Sequence, residues 1–258
     1  MFLLPPLSLV LLLLLGGRGL CEELRIKNVD ELIDFSSNVN KGMNYSGTTV
    51  FLDTDIDFVG KTFVPIGTNS DYFLGVFDGQ GHIISKLKFN STSQYTGLFG
   101  ASEGTSIKNI VLDSSSSFEN SNASNSNSAY LGGIIGYCYS NRNQCVVENT
   151  VSMAKISFSG DTNEKLYLGG IAGYLSSSST YKTSVKNCAN YGPVSHSGMS
   201  GDPNIGGIVG YFEGYSSNFI SIRNCLNYGP INYNGVSNYE LSIEGLLDAL
   251  NRDLLRTV

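Results

Sequence analysis

One short pattern recurs along the second half of the chain, and it constrains the fold more than any other feature. Leu131-Gly-Gly-Ile-Ile-Gly136-Tyr137 returns as Leu168-Gly-Gly-Ile-Ala-Gly173-Tyr174 and as Ile205-Gly-Gly-Ile-Val-Gly210-Tyr211, after a degenerate copy at Thr96-Gly-Leu-Phe-Gly100. The glycines at 100, 136, 173 and 210 recur at intervals of 36, 37 and 37 residues. A second element keeps the same beat: Ile107-Lys-Asn109, Val147-Glu-Asn149, Val185-Lys-Asn187 and Ile222-Arg-Asn224. Two independent elements on one period mark a structural repeat.

Each unit holds short β-prone stretches between Gly, Asn and Ser clusters, without helical periodicity. Stacked as coils, like positions lie about 4.8 Å apart along the axis. A glycine recurring at one column marks a corner where positive φ or close approach forbids a Cβ. Asn109, Asn149, Asn187 and Asn224 then form a ladder of side-chain amides at an inward bend. The expected fold is all-β: a right-handed parallel β-helix with three short strands per coil. A propeller is the rival, but the units are few for closing a ring.

The ends do not follow the repeat. Residues 1–21 carry an apolar run too short to span a bilayer, then small residues at Gly19 and Cys21, the pattern of a cleaved signal peptide. The mature chain is therefore expected to be secreted and monomeric, with no membrane span after cleavage. Asn28-Val-Asp-Glu31 is a capping box, predicting a helix over 29–40 that covers one end of the solenoid. The β-helix is assigned to 22–240. Residues 241–258, with Ile243, Leu246, Leu247, Leu250 and Leu254 at helical spacing, read as a second capping helix. The Ser/Asn-rich stretch 113–128 reads as a flexible loop.

Secretion makes the cysteines meaningful, because an oxidising compartment favours pairing. Cys138 and Cys145 close a short loop, and Cys188 and Cys225 occupy one column of successive coils. The expected disulfides are 138–145 and 188–225, with free buried thiols as the alternative for the second pair. Asn44, Asn90 and Asn122 head glycosylation sequons. A formal charge of −6 and the lack of any Lys/Arg cluster argue against nucleic acid as a partner.

A distinctive series precedes the repeats: Thr49-Val-Phe-Leu-Asp-Thr-Asp-Ile-Asp57, Val64-Pro-Ile-Gly67 and Phe73-Leu-Gly-Val-Phe-Asp-Gly-Gln-Gly-His-Ile-Ile84. Followed by the Gly-Gly-Ile-x-Gly-Tyr units, it resembles the GLUG-motif proteins, secreted or surface β-helix repeats of bacteria and some protists. That resemblance, over residues 26–235, implies a right-handed parallel β-helix in a surface or adhesion context. GLUG repeats also accompany an immunoglobulin-cleaving metallopeptidase, whose His-Glu-x-x-His element this chain does not carry.

Candidate chemistry is sparse. Asp53, Asp55 and Asp57 alternate along one strand and could bind Ca²⁺ or serve a polysaccharide lyase or hydrolase. Their structural reading is part of the coil pattern. Asp78-Gly-Gln-Gly-His82 reads as an Asx turn rather than a catalytic pair, and His196 as a solvated loop residue. Tyrosines are the better binding candidates: Tyr137, Tyr174 and Tyr211 share one column, and Tyr191 and Tyr228 another. Turned outward they offer an aromatic stripe to an extracellular glycan or protein; turned along the wall they stabilise the coil. The reading is a non-enzymatic binding or adhesion protein with no cofactor. A polysaccharide-active enzyme and a structural coat or matrix component are the alternatives.

Overall fold

The protein is described as a computed structural model covering residues 22–121, 127–214, 220–237 and 242–244. Five parallel sheets run along it, and each strand pairs with its counterpart one coil earlier and one coil later. One coil reads Cys145–Glu148, Val151–Ser152, Lys155–Phe158, Thr162–Gly169 and Ala172–Ser177. These five strands define the first to fifth faces of a parallel β-solenoid. The coil has five short strands rather than the expected three, because asparagine and glycine corners divide the wall more often than the apolar pattern implies. Complete coils start at Val76, Ser106, Cys145 and Thr183.

Register explains the repeat. Tyr137 pairs with Tyr174 and Tyr174 with Tyr211, while Val147 pairs with Val185 and Val185 with Ile222. Strand alternation puts Leu131, Leu168, Ile135, Ala172 and Val185 inside, all buried in one continuous core.

Asparagine and glycine divide the corner work. Asn109, Asn149, Asn187 and Asn224 hold φ between +52° and +56°, the left-handed conformation that asparagine tolerates. Their amides form the expected ladder: each donates to the Oδ1 of the one before, at 3.1, 3.0 and 3.1 Å, and Asn109 donates to Asp78 Oδ1 at 2.8 Å. The ladder lies at the outer surface, not at an inward bend, since the left-handed residue turns the chain around a convex corner. A second ladder runs inside. Buried Asn190 donates to Asn227 Oδ1 at 2.9 Å, in the column that Ser152 occupies one coil earlier.

The repeated glycines serve close approach. A Cβ on Gly170 would fall inside the Asn190 amide on the opposite wall, and one on Gly207 inside Asn227. A Cβ on Gly173 would come 2.7 Å from the Gly136 carbonyl and from the backbone of Leu131 on the neighbouring face. None of these repeat glycines has positive φ. The wall between the fourth and fifth faces is thus pinched inward until it meets the inner polar ladder.

The N-terminal end is closed as the capping box predicts. The helix Val29–Val39 starts at Asn28, whose side chain accepts from the Glu31 amide at 3.0 Å, while Glu31 accepts from the Lys27 amide at 2.7 Å. Its buried residues Leu32, Phe35 and Val39 cover the first coil, with Phe35 edge-on to Phe73 at 5.6 Å.

Three expectations change. Within 113–128, Ser117–Asn120 is a strand of the third face, anchored by buried Phe118 stacked on Phe89 at 4.6 Å. Ser242–Glu244, in the stretch read as a capping helix, is a strand in register with Asn204–Gly206. The rest of 241–258 lies outside the described residues, as do Asn122 and residues 1–21, the stretch read as a signal peptide. Finally, Cys138–Cys145 is a disulfide, whereas Cys188 and Cys225 are buried thiols. They face each other in adjacent coils within thiol–thiol hydrogen-bonding reach, and each sulfur also contacts a carbonyl two residues back, Cys188 that of Lys186 and Cys225 that of Arg223.

Two outcomes follow for stability. Gly170→Ala should lose about 1–3 kcal/mol in urea unfolding, because overpacking forces the opposite wall to move; a loss within about 0.5 kcal/mol, the usual range for surface substitutions, would contradict the pinch. Asn187→Ala should lose about 2 kcal/mol, combining left-handed strain and a missing hydrogen bond. Asn187→Gly, which relieves the strain, should lose about half that.

Candidate functional site

The tyrosines singled out by the repeat fall into two places on opposite walls. Tyr137, Tyr174 and Tyr211 point outward from the fifth face. A column not expected from the motif, Tyr95, Tyr130 and Tyr167, points outward from the fourth face in register. Because the wall is pinched between these faces, the two columns meet across a concave corner. Tyr137 stacks on Tyr174 at 5.3 Å and Tyr130 on Tyr167 at 5.1 Å, while Tyr167 meets Tyr174 at 4.9 Å and 63°. The result is a herringbone of six rings in which each ring covers its neighbours' faces.

This arrangement decides what the corner can do. Tyr167 and Tyr174 keep only 5 % and 9 % of their surface. Burial raises the Tyr95 hydroxyl to about 12 and pushes Tyr137, Tyr167 and Tyr174 up further, so the corner is neutral and protonated at physiological pH. Tyr174 donates its hydroxyl to Glu213. Sugar rings stack on open aromatic faces, and here those faces are occupied along the middle of the array. These tyrosines mainly hold the corner together. Tyr95, Tyr130 and Tyr167 were legible in the sequence only once the fourth-face register was known, since Tyr130 and Tyr167 immediately precede Leu131 and Leu168.

Tyr191 and Tyr228 stand on the outside of the second face, stacked at 4.9 Å and 12°, with 50 % and 61 % exposure. Beside them runs an outward column in register, Ile83, Val111, Val151, Ala189 and Leu226. Leu226 is 53 % exposed and Ile83 41 %. Four of the larger exposed apolar side chains thus share one flat wall, bordered by the asparagine ladder.

The aspartates are brought near one another but not into one site. Asp53 pairs with Arg25 at 2.9 Å and accepts from Gln80 at 3.0 Å. Asp55 contacts His82 Nδ1 at 3.0 Å and accepts from the Ile83 amide at 2.9 Å. Asp57 pairs with Lys86. Each has its own basic partner on an exposed corner. Hydrogen bonds, from the Ile83 amide to Asp55 and from Lys86 to Asp57, hold both carboxyls below their ordinary range. An ionised, separately paired carboxylate is poorly suited to be a general acid. Among the described residues no group of three or more His, Cys, Asp or Glu is placed to hold a metal ion. Asp78 forms the expected Asx turn, accepting from the Gln80 amide at 2.9 Å, and pairs with Lys108 rather than His82.

His196 is not solvated. It is 1 % exposed on the strand Val194–His196, between Phe158 and Tyr233, with Nε2 3.1 Å from the Ser200 hydroxyl. It was misread because its Ser/Gly neighbours hide a position that register aligns with buried Phe158. Asn44 and Asn90 are exposed, as glycosylation sequons require.

No family model matches the chain, and no curated protein matches it. A solved structure from Bacteroides ovatus, provisionally described as an immunoglobulin A1 protease, aligns with 85 % of this chain and 76 % of its own. The two share 18 % identity with a TM-score of 0.48, and nothing about this chain's chemistry rests on that match. No helix among the described residues is long and apolar enough to cross a membrane.

Burial lowers the His196 pKa, so the folded state resists a proton that the unfolded chain takes up below about pH 6.5. Its contribution is complete above that pH and is lost as the pH falls toward the depressed folded value. Between pH 7 and pH 5 the urea midpoint of the parent should fall more than that of His196→Gln. Equal slopes would contradict the buried, neutral imidazole.

Proposed function

We propose that this chain is a secreted, GLUG-like, non-enzymatic β-solenoid that binds an extracellular partner, a glycan or a protein, through the outer side of its second face. One observation carries the reading: Tyr191 and Tyr228 are stacked and more than one-third exposed beside Leu226, on an in-register apolar column. Contiguous exposed apolar surface on a soluble chain marks an interaction site, and tyrosine is enriched where binding energy concentrates. The resemblance to GLUG-motif proteins and the signal-like residues 1–21 support an extracellular setting, as does the Cys138–Cys145 disulfide.

The test is retention of the mature chain on immobilised glycans and extracellular proteins, comparing the parent with the double variant Tyr191→Ser, Tyr228→Ser. The expected result is selective retention weakened at least about tenfold in the double variant, the scale of a lost hot spot. Thermal stability should stay close to that of the parent, because both side chains are exposed. Undiminished retention in the double variant would overturn this face as the binding surface. Retention lost instead on Asp55→Ala would move the site to the aspartate corner and favour a polysaccharide-active enzyme.

A further inference from the structure

Cysteine stands at one inner corner position in two successive coils. The column runs Ile110, Thr150, Cys188 and Cys225, each one residue after a ladder asparagine and each at most 3 % exposed. Thr150 donates its hydroxyl to the Glu148 carbonyl, two residues back, at 2.9 Å, and both thiols contact the equivalent carbonyls, of Lys186 and Arg223. Threonine therefore fills this corner as cysteine does, and packing alone gives no reason for two thiols at adjacent levels.

Their contact with each other supplies one. Ala189 and Leu226, the next residues along, pair in register, which sets Cys188 and Cys225 one coil spacing apart. That spacing, about 4.8 Å, lies inside the Cα range of a disulfide, about 4.4–6.8 Å. The hydrogen bond between the thiols raises the Cys188 thiol and lowers the Cys225 thiol to about 7. A readily formed thiolate beside a second thiol is the arrangement that exchanges with disulfides. Joining the sulfurs orphans no carbonyl, because those of Lys186 and Arg223 already accept the Asn149 and Asn187 amides at 3.1 and 3.0 Å.

The coil that carries Cys225 is held from one side. Ile220–Arg223, Leu226–Asn227, Ile231–Tyr233 and Val236–Ser237 are each the last strand of their sheet. Between 220 and 237, glycine aside, Cys225 is the one buried residue. The only side chain that this coil sends fully into the core is thus the one that meets Cys188.

We propose that Cys188 and Cys225 are a redox-convertible pair that exchanges with small-molecule disulfides and, once joined, latches this coil to the one before it. As the edge coil opens, the Cys225 thiolate attacks one sulfur of the reagent, forming a mixed disulfide and releasing one thiol. Cys188 then gives its proton to solvent and attacks Cys225 Sγ, and the second reagent thiol leaves. Two electrons pass from the cysteines to the reagent, which departs as two thiols carrying the two protons. The latch does not depend on what Tyr191 and Tyr228 bind.

The probe is oxidised glutathione, added to the mature chain after reduction and removal of the reductant. Peptide mapping should find Cys188 joined to Cys225 and Cys138 to Cys145, with no glutathione retained. The Leu226 and Tyr228 amides bond to the Cys188 and Asn190 carbonyls at 3.0 and 2.8 Å and report on the edge coil. Their hydrogen exchange should slow at least about tenfold on closure, a modest share of what one disulfide contributes. Cys225→Thr, which repeats the Thr150 side chain, closes only Cys138–Cys145 and should show no slowing. Cys188 and Cys225 still open to alkylation, or a glutathione adduct that persists, would overturn the pair. Closure without slower exchange, or equal slowing in Cys225→Thr, would overturn the latch.

Discussion

Backbone meeting backbone at the repeated glycines is the contact on which the rest of this molecule depends. A solenoid wall built of residues with side chains would keep its fourth and fifth faces apart and enclose a wider core. Gly170 and Gly207 remove the Cβ that would strike the inner Asn190–Asn227 ladder, and Gly173 lets its strand lie against Leu131. The wall therefore folds inward, and its outer surface becomes a concave corner. Tyrosine fills that corner because it brings a large apolar ring to bury and a hydroxyl to leave in water. The motif Gly-Gly-Ile-x-Gly-Tyr is one mechanical unit: two glycines to pinch, an apolar residue to reach the core, a glycine to close the angle and a ring to seal it.

The polar ladders depend on the same regularity. Side-chain amides reach their neighbours only when successive coils hold identical register. The outer asparagines then satisfy one another while occupying a strained backbone conformation that few other residues tolerate. Charged residues follow suit on the first face, where Asp78 pairs with Lys108 and Glu148 with Lys186 in adjacent coils. At the outer surface these pairs contribute little stability each.

Much of this was legible before any coordinates. Period and register could be read because Gly, Asn and Tyr recur at fixed intervals, and each type has a narrow structural reason to recur. The capping box at Asn28 was equally plain, since its hydrogen bonds are local. Side-chain direction was harder to read. Whether Tyr174 covers its neighbours or faces solvent depends on the angle between two faces, which no spacing reports. His196 failed for the same reason: its burial comes from Phe158 one coil away, not from its own Ser/Gly neighbours. The aspartates illustrate the converse. Asp53, Asp55 and Asp57 look like a cluster in sequence, yet a bend at Thr54 and three separate basic partners divide them.

The central claim is that the glycine pinch brings two outward columns of tyrosine together across one corner. Ring-to-ring nuclear Overhauser effects test it most directly, because Tyr130 and Tyr174 lie 44 residues apart in sequence and 5.6 Å apart in space. Cross-peaks are expected between Tyr130 and both Tyr137 and Tyr174, together with Tyr137 to Tyr174 along the column. Peaks along each column without any between columns would mean that the wall is not pinched, and the account would be wrong.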